Sequence, residues 1–339
     1  MKALTLKDTS ILKGVAIVLL LFHHCLYTGE DYNDIVIHGH PVFQNIGEFS
    51  KLCVGLFVFL SGYGLTAKTM KDDGIGNLWS FYRHRYVKLM LNYWVVYLIF
   101  VPIGILFFHR TFPAVYGDNW LFKAIVDFLG LHQAVIGHPY GYNATWWFFS
   151  CIILLYALFP LLWQCRRWWI VMIPFSIMFP TIFYWHDGLN VCAPYLLSFA
   201  CGFVYAIFSE KENSVPLTGG GIFYLLILFV IGCVYRFYSS SAIKWDSAIV
   251  LIGVVFYISI SLPRRITSFF AFLGKHSYNI FMFHTFIFYY YFHDLIYWSR
   301  NPIIICLTLL FVCVIISLAI EFLKGKLGFD KLVKILAGK

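Results

Sequence analysis

The sequence predicts an all-α, polytopic membrane helical bundle of about ten transmembrane helices, with both termini inside. Composition is the first reason: of 339 residues 61% are hydrophobic and only 12% charged, with a mean hydropathy of +0.78. Soluble domains carry about 25% charged residues. The second reason is a series of apolar runs long enough to cross a bilayer. They fall at roughly 11–28, 45–66, 84–108, 145–163, 168–185, 192–208, 219–237, 246–262, 275–295 and 301–322. The third is the placement of the cations. With the N-terminus inside, nineteen of the 25 Lys and Arg residues fall on inner segments, leaving Lys51, Arg110, Lys123, Arg236, Lys244 and Arg300 outside. That asymmetry orients the chain. It also explains the formal net charge of +9 as topology and contact with anionic lipids, so no nucleic-acid partner is expected.

The first run opens with Lys13-Gly14 and holds His23 and His24. Lys13 and His24 are eleven positions apart, which places them on one helix face with an axial separation of about 16 Å. Ionisable groups at such depth are functional candidates. A neutral imidazole facing a hydroxyl is a sensible general base. A structural histidine bonded to a neighbouring helix is the other reading of His24, and His23, turned about 100° away, ranks second as the candidate base. Lys2 and Lys7 precede this run as in a signal peptide, but no small-x-small cleavage site follows, so an uncleaved first span is expected.

The second run ends in Ser61-Gly62-Tyr63-Gly64, where the glycines permit close backbone approach or a break. The third begins Arg83-His-Arg85-Tyr-Val-Lys88. Arg85 and Lys88 share a face and are suited to phosphate, although inner-side topology alone predicts such a cluster. The segments at 29–44, with Glu30, His38 and His40, and at 109–144, with Asp118, Asp127, His132 and His138, are outer loops that could line the mouth of a cavity. The fourth run opens Thr145-Trp146-Trp147, an interfacial aromatic belt or a site. The ninth carries Ser277, Tyr278 and a second deep histidine, His284. Two such histidines are too few for a metal site, and none is expected. The nine cysteines show no CxxC pair and read as small buried hydrophobes. The stretch 323–339 reads as an amphipathic, basic inner-surface helix.

Taken in order, these motifs resemble the integral-membrane acyltransferase 3 family. They are Lys13-Gly14 with His24, Ser61-Gly62-Tyr63, Arg85-x-x-Lys88 followed by Tyr93-Trp94, Trp147-Phe148 with Tyr156 and Pro160, and Gly274-x-x-Ser277-Tyr278 with His284. The resemblance runs over residues 8–295. Lys13 and Lys88 stand where members usually have arginine, which keeps the charge and loses the planar fork. Ile152 and Ile153 stand where many members have paired glutamates.

The resemblance implies a transmembrane acyltransferase domain over 1–322. It implies transfer of an acyl group, usually acetyl, from cytoplasmic acyl-CoA to a hydroxyl of an extracytoplasmic or lipid-linked glycan. The setting it implies is a bacterial plasma membrane, with acetyl-CoA as co-substrate and no tightly bound cofactor. His24 and Lys13 would be catalytic, Arg85 and Lys88 would hold the donor, and Ser61, Tyr63, Trp147, Ser277, Tyr278 and His284 would position substrate. A transporter or flippase of a glycan or small polar solute is the rival, as is a relative that has lost its chemistry.

Overall fold

A computed structural model of the chain describes residues 2–27, 29, 31–137, 141–182, 191–209, 218–239 and 245–337. Glu30, His138 and Lys244, named above, lie outside them, as does part of the fifth predicted run. The described residues are almost entirely helical. The one sheet is a short antiparallel hairpin of Val36–Ile37 with His40–Pro41. His38 (φ 50°) and Gly39 (φ 81°) form its two-residue turn, both with the positive φ that such a tight hairpin requires.

Six helical stretches among the described residues are long and apolar enough to cross a membrane: Leu6–Leu26, Val42–Lys71, Leu78–Phe107, Ala144–Gln164, Gly219–Tyr238 and Pro302–Lys326. Ala193–Ser209 and Asp246–Ser259 are shorter apolar helices. Every predicted run coincides with helix, but lengths and starts differ from those predicted. The helix through the ninth run begins at Arg264, well before 275. It takes in Arg264, Arg265 and the apolar residues Phe269, Phe270, Phe272 and Leu273, which the predicted run left out.

The chain forms two compact units. The first contains Met1–Asp72, Tyr195–Ser277 and Tyr297–Leu310. Helix α1 (Leu6–Leu26) starts on a reciprocal cap in which Thr5 Oγ1 accepts the Asp8 N–H and the Asp8 carboxylate accepts the Thr5 N–H. Lys51 separates α2 (Val42–Ser50) from α3 (Leu52–Lys71). Along α3, Ser61, Thr66 and Thr69 each donate to a carbonyl one turn back, which satisfies hydroxyls in an apolar helix. Helix α3 packs on the later helix spanning Leu196–Ser209 at a crossing where glycines face backbone. Gly62 sits against the Phe199 carbonyl and Gly202 against that of Phe59, with no room for a Cβ at either. A second crossing pairs α1 with the helix Arg264–Thr285. Gly14 meets the Phe270 carbonyl there and Gly274 meets that of Ser10, again without space for a side chain.

The second unit contains Asp73–Pro194, Tyr278–Ile296 and Phe311–Lys339. Its axis is α4 (Leu78–Phe107), capped by Asn77, whose side chain accepts the Ser80 N–H. The expected long outer loop contains three short helices: α5 (Phe112–Tyr116), α6 (Trp120–Phe128) and α7 (His132–Ile136). Three ring donors on α4 tie down the end of α6. Tyr86 donates to the Leu129 carbonyl, Tyr93 to that of Asp127 and Trp94 to that of Phe128. Helix α8 (Trp147–Gln164) follows. The basic tail is the amphipathic helix Phe329–Leu336, which starts at the left-handed Gly328 and packs on α4. Arg83 Nε donates to its Leu336 carbonyl at 3.0 Å.

Candidate active site

The residues singled out by sequence fall in both units: Lys13, His24, Ser61, Tyr63 and Ser277 in the first, and Arg85, Lys88, Trp147, Tyr278 and His284 in the second.

In the first unit the adjacent histidines have different surroundings. His23 is buried, its Nδ1 lies 2.8 Å from the Gly47 carbonyl, and its ring meets Tyr27 edge-on. That bond requires a proton on Nδ1 and makes His23 a bracket between α1 and α2. His24 is only half-buried, and Lys13 is exposed. Of the two imidazoles, His24 is the more exposed. Gly14, the partner of Lys13 in its motif, serves the helix crossing. The Ser61 hydroxyl donates to Phe57 and the Ser277 hydroxyl to Gly274, each within its own helix. The Tyr63 hydroxyl donates to the Leu4 carbonyl and accepts the Leu4 N–H, holding the N-terminal segment in place. These three hydroxyls, expected to face substrate, are turned to backbone.

In the second unit Arg85 and Lys88 do not share one cavity, although they are three residues apart. Arg85 is half-buried, with its guanidinium 5.6 Å from the Phe81 ring centre. It lines an apolar cavity of about 330 Å³ with Tyr82, Tyr86, Ile153 and Tyr156. The third and fourth runs thus bring Arg85 and Tyr156 together. Lys88 lines a separate polar cavity of about 610 Å³ with Asn92, Lys324, Lys331, Glu321 and Asp330.

Beneath that polar cavity lies a network that the sequence reading missed. Lys324, grouped by sequence with surface lysines, is buried, and its Nζ donates to Asn92 Oδ1, Asn279 Oδ1 and Glu321 Oε1 at 2.8–2.9 Å. Asn279 in turn donates to Ser317 and Glu321. Three donors meeting three acceptors make this ammonium a satisfied structural hub. Nothing in the local sequence signals it, because its members come from three distant segments.

His284 is fully buried. Its Nδ1 lies 3.0 Å from the Ile280 carbonyl and 2.9 Å from that of Phe281, so Nδ1 carries a proton. On the Nε2 side Thr285 Oγ1 lies at 3.4 Å, and Thr285 is in turn 3.0 Å from Thr145 Oγ1. Asn143 fixes this group by donating to the Met282 carbonyl while its Oδ1 accepts from Thr145. Trp146, not Trp147, is the buried member of the tryptophan pair, and its Nε1 also donates to Met282 at 2.9 Å. Trp147 is half-buried, with its ring edge-on to Phe148. The Tyr278 hydroxyl donates to the Leu89 carbonyl at 2.8 Å. Asp127 is buried in α6 and accepts from the Tyr116 hydroxyl and the Tyr142 N–H, and burial raises its carboxyl pKa above the usual range. Among the described residues no three His, Cys, Asp or Glu side chains cluster in a way that would hold a metal.

Helices long and apolar enough to cross a membrane define a multi-pass membrane protein. The chain belongs to the acyltransferase 3 family: residues 8–322 match the family model, described as an acyltransferase domain. It is accordingly a membrane acyltransferase. No curated protein and no solved structure matches it.

Proposed function

We propose that the protein is a membrane O-acyltransferase. It moves an acyl group, acetyl in the simplest case, from cytoplasmic acyl-CoA to a hydroxyl of an extracytoplasmic or lipid-linked glycan. The ten-span arrangement with both termini inside belongs to this proposal, as does a place in a bacterial plasma membrane. The observation that carries it is His24: a half-buried imidazole within an apolar helix, in a chain matching the acyltransferase family over 8–322.

In this reading His24 takes the proton from the acceptor hydroxyl as its oxygen attacks the thioester carbonyl. The C–S bond then breaks, and CoA leaves as the thiol after taking up a proton. Lys13 supplies positive charge on the same helix. The donor's phosphates suit the polar cavity, where Lys88, Lys324 and Lys331 outnumber Glu321 and Asp330. Its less polar arm suits the apolar cavity beside Arg85 and Tyr156. His284, fully buried with Thr285 beside its Nε2, positions substrate through the helix it holds. Ser61, Tyr63, Ser277 and Tyr278, whose protons are committed to carbonyls, shape the helices that hold these groups.

The test is thiol release from acetyl-CoA by the purified protein with glycan acceptors. His24→Ala at equal protein level is expected to lower turnover by about 10²-fold or more, the typical contribution of a positioned base. Normal transfer by His24→Ala would remove the central assignment. Substrate flux without CoA release would favour a transporter.

A further inference from the structure

The segment joining α4 to α8 carries a feature that the transfer chemistry leaves unused. A cavity of about 350 Å³, lined by His109, Arg110, Gly141, Ala144, Tyr289 and Tyr290 among others, opens in the second unit. That volume is at the low end for small-ligand pockets. Arg110 dominates it. The guanidinium lies 3.9 Å from the Tyr290 ring centre and 5.0 Å from that of Tyr142, and Nη2 donates to the Tyr142 carbonyl at 2.6 Å. Both rings are fixed in turn: the Tyr290 hydroxyl accepts the Ala144 N–H, and the Tyr142 hydroxyl donates to the Arg110 carbonyl.

The cation is thus clamped in place but incompletely satisfied. Its Nε is buried without a partner among the described residues, and it makes no ion pair among them. A buried guanidinium donor lacking an acceptor is costly unless something arrives to fill it. The flanking geometry is also unusual. His109 has a left-handed backbone (φ 53°), and Tyr289 and Tyr290 project from a π-helical turn, Phe286–Tyr291. Wide turns and left-handed non-glycine residues recur at binding sites. Tyr289 is 61% exposed at this rim.

The combination specifies a ligand. A guanidinium fork matches a carboxylate in geometry and charge. Tyrosine rings offer flat faces for the C–H surface of a sugar and hydroxyls for its polar edge. We propose that this cavity binds a carboxylate-bearing sugar residue of the acceptor glycan, with Arg110 on the carboxylate and Tyr289 and Tyr290 on the ring. The word "acceptor" rests on the acyltransferase reading above; the binding of an acidic sugar does not.

The experiment is calorimetric titration of the purified full-length protein in detergent with a glucuronate–glucose disaccharide and with its neutral glucose–glucose counterpart. The acidic sugar binds at least about ten-fold more tightly, the order expected for one charge-assisted contact. Added salt narrows that difference. Arg110→Gln abolishes the preference, Arg110→Lys restores part of it, and Tyr289→Ala, at an exposed position, weakens both sugars while leaving thermal unfolding unchanged. His24→Ala binds the acidic sugar as the wild type does, so failure of the catalytic assignment is read separately from failure of this one. Equal binding of the two sugars, no binding of either, or an undiminished preference in a folded Arg110→Gln protein would overturn the proposal.

Discussion

Two neighbouring histidines carry different burdens because about 100° of helix rotation points them into different surroundings. His23 gives its Nδ1 proton to a backbone carbonyl and packs under α2, whereas His24 stays half-open. His23→Ala should therefore lower the unfolding temperature in detergent, with a loss of about 1–3 kcal/mol from the orphaned Gly47 carbonyl and the lost packing. His24→Ala should leave stability nearly unchanged while removing turnover. A reversed pattern in paired unfolding and thiol-release measurements would exchange their roles. Asp127 offers a titration test. Burial raises its carboxyl pKa, while the bonds from Tyr116 and Tyr142 act the other way. The protonated form is thus favoured in the folded state. Its contribution is complete below the unfolded pKa and is lost as pH rises through the folded one. Unfolding midpoints recorded across acidic to neutral pH should fall on the alkaline side, and Asp127→Asn should flatten that slope. Asp127→Ala leaves the Tyr116 hydroxyl without its acceptor and should destabilise at every pH.

At the level of helices, the glycines of the family-like motifs have a plain physical task. Gly14 and Gly274 face each other's helix backbone across one crossing, and Gly62 and Gly202 do so across another. Lipid chains are as apolar as leucine, so transmembrane helices associate through close packing rather than water exclusion. Gly62→Ala and Gly274→Ala should each push the helices apart and cost about 1–3 kcal/mol or prevent stable insertion. Gly64→Ala and Gly325→Ala, which meet nothing within 4 Å, are the matched controls. Equal unfolding temperatures for both pairs would show that the crossings yield freely. The Gly14 contact depends on backbone approach and is indifferent to its charged neighbour Lys13. The long segment after α4 illustrates the opposite case. Its length suggested a loop, yet it contains α5, α6 and α7, and the end of α6 is held by Tyr86, Tyr93 and Trp94, whose donors reach carbonyls more than thirty positions away.

For the whole molecule, cation placement makes a prediction that fusions can check. A C-terminal fluorescent protein should fold and fluoresce, and a C-terminal periplasmic phosphatase should stay inactive, because both report an inner C-terminus. An active phosphatase would reverse the topology and with it the side proposed for acyl-CoA. Much of the architecture was legible beforehand. Apolar run length, cation asymmetry and the order of short motifs pointed to a helical membrane protein and to its family, because the bilayer forces every spanning backbone to satisfy itself locally. Those constraints act within single segments, so they can be read along the chain. Partnership is different. That Lys324 is buried among Asn92, Asn279 and Glu321, that Arg85 and Lys88 open onto separate cavities, and that Arg110 is clamped between Tyr142 and Tyr290 all depend on residues far apart in sequence. Hydrophobic patterning fixes which segments enter the membrane. Only packing decides which polar atoms meet there, since each buried donor settles on whichever acceptor the crossing helices bring within reach.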